Sequence, residues 1–315
     1  MNQGVTAPGT CMEVKVSTSQ LSAGLPTASD GKPTIADTRL GQIEYAVEGA
    51  GHAVLGLHGA MGGYDQGLIL ERTVGESGYR FIAVSRPGYL GTPLSSGRTP
   101  EQQADLYAAL LDVLGIREAA VMAVSGGGPS ALQFALRHRE RCWALVLIST
   151  CGTKIDTPVP MSFKVMKLLM RFRWFSAMMS KRVERNPEQA ALRSITDPVV
   201  RARTLRDPEV GSLFTALLRS TADRMALRLA GTENDIAVTR TTDYPLERIA
   251  VPTLVVHGTA DRVVPFAVHA KPLAERIPGA ELVAIEDGEH VAIFTHRNEV
   301  RARITEFLRK HVPVR

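Results

Sequence analysis

"AVMAVSGGGPSALQFA", residues 120–135, sets a short apolar run against one serine, three glycines and an amphipathic stretch. The apolar run reads as a buried strand, and the residues from Pro129 onward carry the spacing of a helix. Ser125 therefore stands at the corner, at the carboxyl end of the strand, where open α/β sheets bind their ligands. A chain that doubles back so sharply needs small residues two before and two after the corner, and Ala123 and Gly127 supply them. The result, A-x-S-x-G, is one methyl away from G-x-S-x-G, in which a serine is exposed as a nucleophile. Gly126 adds a backbone N–H at the start of a helix, suited to holding developing negative charge.

Residues 126–131 also satisfy G-x-G-x-x-A, a dinucleotide fingerprint. That motif needs an acidic residue at the end of the next strand, and nothing from Arg141 to Lys154 is acidic. No nucleotide cofactor is expected on this ground.

A serine is a poor nucleophile without an adjacent base, and the base needs an orienting acid. In this sheet type the order along the chain is serine, acid, histidine. "TLVVHGTADRVVP" puts Asp261 in a loop after one apolar run, and "ELVAIEDGEHVAIF" puts His290 in a loop after the next. Both emerge at strand carboxyl ends, on the edge that carries Ser125. Glu286, Asp287, Glu289 and Asp156 are alternative acids, and Asp261 taken alone reads equally as a turn cap. His257 reads as part of a strand end, and His269, His296 and His311 fall on helical patterns. An oxyanion site needs a second N–H from an early loop. "LGLHGAMGGYDQG" follows the apolar run 53–57, and its His58-Gly59 pair lets the chain present the N–H of Ala60, with Met61 as the neighbouring alternative. Met61, Asp65 and Gln66 on that loop are candidate substrate contacts.

Outward from these loops the chain alternates strand and helix. Apolar runs at 53–57, 80–84, 119–124, 144–149, 253–257 and 281–285 alternate with helical patterns at 100–114, 129–138, 266–277 and 298–310. Near-continuous hydrophobicity is what strands covered on both faces require, so the expectation is an α/β fold with a doubly wound, mostly parallel sheet. Residues 1–33, rich in Ser, Thr, Gly, Ala and Pro, read as a loosely ordered extension. The alternation fails between 155 and 245, where every pattern is helical. That region opens with Met161, Met166, Met170, Met178 and Met179 among aromatic and basic residues. It reads as an insertion packed on the main domain, as a lid with a pliable apolar lining, or as a membrane-surface helix.

Composition narrows the class. With 44% hydrophobic and 22% charged residues the 315-residue chain is ordinary globular protein. Seven Lys and Arg against one Glu between 163 and 185 account for more than the whole net charge of +5. A basic body is thus absent, and with no zinc-finger or RNA-binding signature no nucleic-acid partner is expected. Cys11, Cys142 and Cys151 are odd in number and lack C-x-x-C spacing, which points to reduced thiols, no structural zinc and a cytoplasmic setting. Neither a secretory signal nor a membrane-spanning run of 18 apolar residues is read.

Together, "AVSGGGP" (123–129), His58-Gly59, "SRPGYLGTP" (85–93), "HGTADRVVP" (257–265) and "DGEHVAIF" (287–294) resemble the α/β-hydrolase fold family over residues 34–311. The resemblance implies an eight-stranded sheet, a Ser125–His290–Asp261 triad, no metal or organic cofactor, and a helical cap at 155–245 within a core of 34–154 and 246–315. Ala123 replaces the usual elbow glycine, Leu90 a second glycine and Ser85 an aspartate. The expected activity is hydrolysis of a small to medium, largely apolar carboxylic ester or lactone through an acyl-enzyme. Carbon–carbon bond hydrolysis, aminopeptidase or perhydrolase action on the same triad, and ligand sensing with negligible turnover are the alternatives.

Overall fold

The computed structural model describes residues 1, 31–154, 167–241 and 243–314. Its sheet has eight strands in the spatial order β1-β2-β4-β3-β5-β6-β7-β8. These are β1 (Thr34–Thr38), β2 (Gly41–Gly49), β3 (His52–Leu57), β4 (Tyr79–Val84), β5 (Ala119–Val124), β6 (Cys142–Ile148), β7 (Thr253–Gly258) and β8 (Glu281–Ile285). Pairing is parallel from β4 to β8, and only the β1–β2 and β2–β4 pairs are antiparallel.

The six apolar runs become the six parallel strands. β1 and β2 carry no such run because they form an edge hairpin with one wet face. In β1 only Ala36 is buried, so nothing continuous and apolar marks it in the sequence. A further helix, α1 (Tyr64–Val74), moves Asp65 and Gln66 from the expected loop into the first turn of a helix.

The two faces of the sheet form two cores, as the period-2 alternation of strands dictates. Leu55, Leu57, Val121, Ala123, Leu145, Leu147 and Val255 point to one side, against α2 (Pro100–Val113), α3 (Gly128–Arg137) and the helix at Phe266–Arg276. Val54, Met122, Val146, Ile148, Leu254 and Val256 point to the other, against α1 and the C-terminal helix at Arg297–His311. Cys142 and Cys151 are buried free thiols, and burial pushes each up to about 12. Cys11, Lys164, Met161, Met166, Asp156 and nearly all of the 1–33 extension lie outside the described residues.

β6 and β7 pair directly, Ile148 opposite Val256, although the chain between them is long. Its described part is helical: α4 (Arg173–Arg185), α5 (Pro187–Ala191), α6 (Pro198–Arg206), α7 (Pro208–Ala222) and α8 (Leu229–Thr239). Asn186, Asp197 and Asp207 cap α5, α6 and α7 with their side chains, each followed by a proline at the first helical position. That punctuation explains why the region breaks into short helices. The remaining helices are α9 (Phe266–Arg276), α10 (Ala292–Thr295) and α11 (Arg297–His311).

After β3 the chain crosses to β4 on one side, and after β5 it crosses to β6 on the other. The β3/β5 junction is therefore the topological switch point, where the crevice of such a sheet opens.

Candidate active site

Ser125 occupies the corner between β5 and α3 with φ of 51°, the left-handed region that a non-glycine residue enters at a cost of about 1–3 kcal/mol. The turn is forced by its neighbours. A Cβ on Gly127 would stand 2.7 Å from the Leu57 carbonyl oxygen and 2.9 Å from that of His58. A Cβ on Gly59 would stand 3.1 Å from the Cβ of Ser125. The loops after β3 and β5 touch: Gly127 has no room for a side chain, and one at Gly59 would press on Ser125. Ala123, by contrast, packs its methyl into the core, fully buried.

Three loops converge on one rim. His290 Nε2 lies 3.1 Å from Ser125 Oγ, and His290 Nδ1 lies 2.8 Å from Asp261 Oδ2. An ionised carboxylate only accepts, so Nδ1 carries the proton and Nε2 presents its lone pair to the serine hydroxyl. Asp261 Oδ1 accepts from the N–H groups of Val263 (2.8 Å) and Val264 (2.9 Å). Burial alone would raise the Asp261 carboxyl; hydrogen bonds from His257 and His290 and the charge of His290 outweigh it and hold the group far below the usual carboxylate range. The other acids near His290 are placed differently. Glu289 accepts from Thr196 N of the helical insertion at 2.8 Å, and Glu286 and Asp287 are exposed.

The oxyanion candidates lie side by side. A Cβ built on Gly126 would be 3.4 Å from the Ala60 nitrogen, so the two backbones nearly touch beside Ser125. Met61 cannot substitute for Ala60, since its own N–H donates to Thr232 Oγ1 at 3.2 Å. Its side chain packs against the apolar cluster of the helical insertion instead of the cavity at Ser125. Asp65 likewise faces elsewhere, forming an ion pair at 2.5 Å with the fully buried Arg228. These two substrate-contact expectations are corrected: both residues tie α1 and its entry loop to the insertion. Gln66 does line the cavity, with its amide donating to Met61 O, Ser220 Oγ and Thr221 Oγ1.

The cavity beside Ser125 holds about 250 Å³. Ile69, Leu70, Val124, Leu217, Val263, Val291, Ile293 and Phe294 form its apolar wall, and Leu217 and Thr221 come from α7. Among the described residues no Lys or Arg lines it. Three residues around the site go beyond the sequence expectation: His257 beside Asp261, and the buried Arg86–Asp235 pair behind the oxyanion loop. Arg86 belongs to the quoted "SRPGYLGTP", but Asp235 sits in a polar helical stretch that carries no signal of its own.

No group of three or more His, Cys, Asp or Glu able to hold a metal occurs among the described residues, and no helix among them is long and apolar enough to cross a membrane.

Comparison with known proteins places the chain in a family. The family described as alpha/beta hydrolase fold matches residues 52–297. A solved structure, an alpha/beta hydrolase fold protein from Nakamurella multipartita, is 36% identical and superposes with a TM-score of 0.79, covering 88% of this chain and 99% of that one. Among curated relatives, a poly(3-hydroxyalkanoate) depolymerase of Ectopseudomonas oleovorans is 32% identical over 73% of this chain and 75% of its own length. A 2-hydroxy-6-oxononadienedioate/2-hydroxy-6-oxononatrienedioate hydrolase of Burkholderia vietnamiensis is 27% identical over 85% and 91%. The uncharacterized hydrolase YcgS of Bacillus subtilis is 34% identical, but the match spans only 42% of this chain and 46% of that protein. The chain belongs to the alpha/beta hydrolase fold family and is a hydrolase.

Proposed function

We propose that this protein is a serine hydrolase that cleaves small, neutral, largely apolar carboxylic esters or lactones through an acyl-enzyme. The observation that carries the proposal is the hydrogen-bonded series Ser125–His290–Asp261 opening onto a small, largely apolar cavity that no Lys or Arg lines among the described residues. In this reading His290 Nε2 takes the Ser125 proton as Oγ attacks the carbonyl carbon, and the carbonyl oxygen becomes an oxyanion held by the N–H groups of Ala60 and Gly126. Collapse breaks the acyl–oxygen bond, and the His290 proton leaves with the alcohol oxygen. Water then repeats the sequence on the acyl-enzyme, giving the acid and restoring Ser125. Each oxyanion donor is worth about 10²–10³-fold in rate where such donors have been removed.

The depolymerase relative, named for a polyester, supports ester chemistry. A second reading, carbon–carbon bond hydrolysis, is favoured by the oxononadienedioate hydrolase. Its named substrate is a dicarboxylate, and a buried carboxylate needs a paired cation or several donors. Among the described residues the cavity offers Gln66, Thr221 and two histidines but no Arg or Lys, which favours the neutral ester. At about 250 Å³ the cavity falls below the usual 300–1,000 Å³ of drug-sized sites, which supports a short acyl group.

The test is a panel of short-chain p-nitrophenyl esters, lactones, a vinylogous β-diketone and amino-acid anilides on the native protein and on Ser125→Ala. Ester or lactone turnover lost in the variant is expected. Full turnover by Ser125→Ala overturns the mechanism, and diketone cleavage exceeding ester cleavage transfers the assignment to the second reading. Stoichiometric fluorophosphonate labelling without turnover of any panel member would point to a ligand sensor.

A further inference from the structure

Resting on the triad reading above, we infer that Arg86 and Asp235 are positioning residues through which the helical insertion aims the Ala60 N–H at the oxyanion. The peptide unit that carries the Ala60 N–H has the Gly59 carbonyl at its other end. A trans peptide is planar and points its C=O and N–H in opposite directions, so whatever holds the Gly59 oxygen aims the Ala60 hydrogen. Gly59 O accepts from His58 Nδ1 at 2.6 Å and from Arg86 Nη2 at 3.4 Å. Arg86 Nε fixes the preceding carbonyl, that of His58, at 2.8 Å, and the Arg86 N–H donates to His58 Nε2 at 3.0 Å. One arginine residue therefore grips two successive peptide units and the ring of the histidine that precedes them.

Arg86 is itself held from the insertion. Its Nη1 and Nη2 reach the two carboxylate oxygens of Asp235 on α8 at 2.9 and 2.5 Å, and Arg86 is 1% exposed. Such a two-pronged pair fixes the plane of the guanidinium as well as its place. The Tyr89 hydroxyl adds a third donor to Asp235 at 2.6 Å. The loop and the insertion are further joined by Gly231 N of α8 to Gly88 O, 2.9 Å, and by Leu90 N to the carbonyl of Leu227 just before α8, 2.8 Å.

The charge balance also bears on the reaction. A Cβ built on Gly126 would lie 3.2 Å from Asp235 Oδ2 and 3.6 Å from Arg86 Nη2, so this carboxylate lies close to the residue that carries the second oxyanion donor. Unpaired, a buried negative charge there would oppose an oxyanion forming in front of Gly126; paired, it is neutral in sum. Removing Arg86 alone is thus worse than removing both partners.

The experiment measures turnover per serine, with active sites titrated by fluorophosphonate, in Asp235→Asn, Arg86→Lys, Arg86→Met and Arg86→Met/Asp235→Leu. Asp235→Asn and Arg86→Lys are expected to lower kcat per titrated site by about 10- to 100-fold while KM changes less than about threefold, the mark of an interaction realised in the transition state. The double variant should exceed Arg86→Met in kcat. A purely structural role would reduce the number of titratable serines and leave kcat per site intact. If Asp235→Asn and Arg86→Lys both turn over within twofold of native per titrated site, the inference is wrong, whether or not the Met variants fold. Ser125→Ala is run alongside: its retention of turnover would remove the underlying triad reading, whereas a dead Ser125→Ala with unaffected Asp235→Asn removes only this inference.

Discussion

His257 Nε2 stands 3.2 Å from Asp261 Oδ2, and both side chains are fully buried. The same nitrogen is 2.7 Å from the Val264 carbonyl oxygen, which can only accept, so it carries the proton and shares it between two acceptors. Asp261 thereby receives four donors: the Val263 and Val264 amides on Oδ1, and His257 and His290 on Oδ2. A carboxylate so surrounded has one orientation, and it passes that orientation to His290.

His257→Phe keeps a ring of similar size and deletes the donor. It should cost about 1–3 kcal/mol of stability, the penalty for a buried acceptor left without its partner. It should lower kcat by roughly tenfold, since Asp261 then gains freedom to turn away from His290. Thermal melts and titrated kcat values check both; an unchanged melting temperature would show that the His257 contact contributes nothing.

Asp261→Asn is predicted to be far more severe. The Oδ1 position faces two N–H donors, so the side-chain amide nitrogen that the substitution introduces is repelled from it and driven toward His290. There it must meet an Nδ1 lone pair, which puts the imidazole proton on Nε2, facing Ser125, where it cannot accept another. A loss of about 10⁴-fold in kcat is expected from this wrong tautomer, with fluorophosphonate labelling slowed in parallel. Labelling at the native rate would show that another acid orients His290.

The triad is legible in the sequence because each member follows an apolar strand, and parallel strands deliver their carboxyl ends to one edge. Ser125, Asp261 and His290 need only strand identification and chain order. Asp65 and Met61 mislead for a local reason: α1 begins directly behind Gly62-Gly63, and the two glycines mask the helix start. Asp65 pairs with Arg228 and Met61 N–H with Thr232, both far away in sequence, and no local pattern announces such partners. The edge strands β1 and β2 escape for the opposite reason, their polar face hiding the apolar one.

Stability should fall with acid in a window set by buried histidines. Burial and the neighbouring Arg86 charge hold His58 well below its ordinary value, and burial followed by His257 lowers His269 to about 4. The unfolded chain binds protons at both below pH 6.5, whereas the native chain does not until lower pH, so stability is full above 6.5 and declines as pH falls toward 4. His269 alone contributes about 3 kcal/mol at most to this decline, at about 1.4 kcal/mol per pKa unit. Asp261, held low, adds its own loss only at still lower pH. Melting temperature measured from about pH 8 to 4 should drop below the ordinary histidine range, and less steeply in His269→Asn; a flat profile over that range contradicts the assignment.

Leu217, on α7 of the insertion, forms part of the apolar wall of the cavity beside Ser125. Truncation to Ala opens room for about one or two methylenes, and each buried methylene is worth about 0.8 kcal/mol, or roughly fourfold in kcat/KM. Leu217→Ala should therefore move the preferred acyl chain one to two carbons longer across a p-nitrophenyl ester series, and Leu217→Phe should move it shorter. Neither substitution alters a hydrogen bond to Ser125 or His290, so turnover of the acetate ester should stay within a few-fold of native. A chain-length profile unmoved by both substitutions would mean that the acyl group binds away from α7, toward Val263 and the solvent.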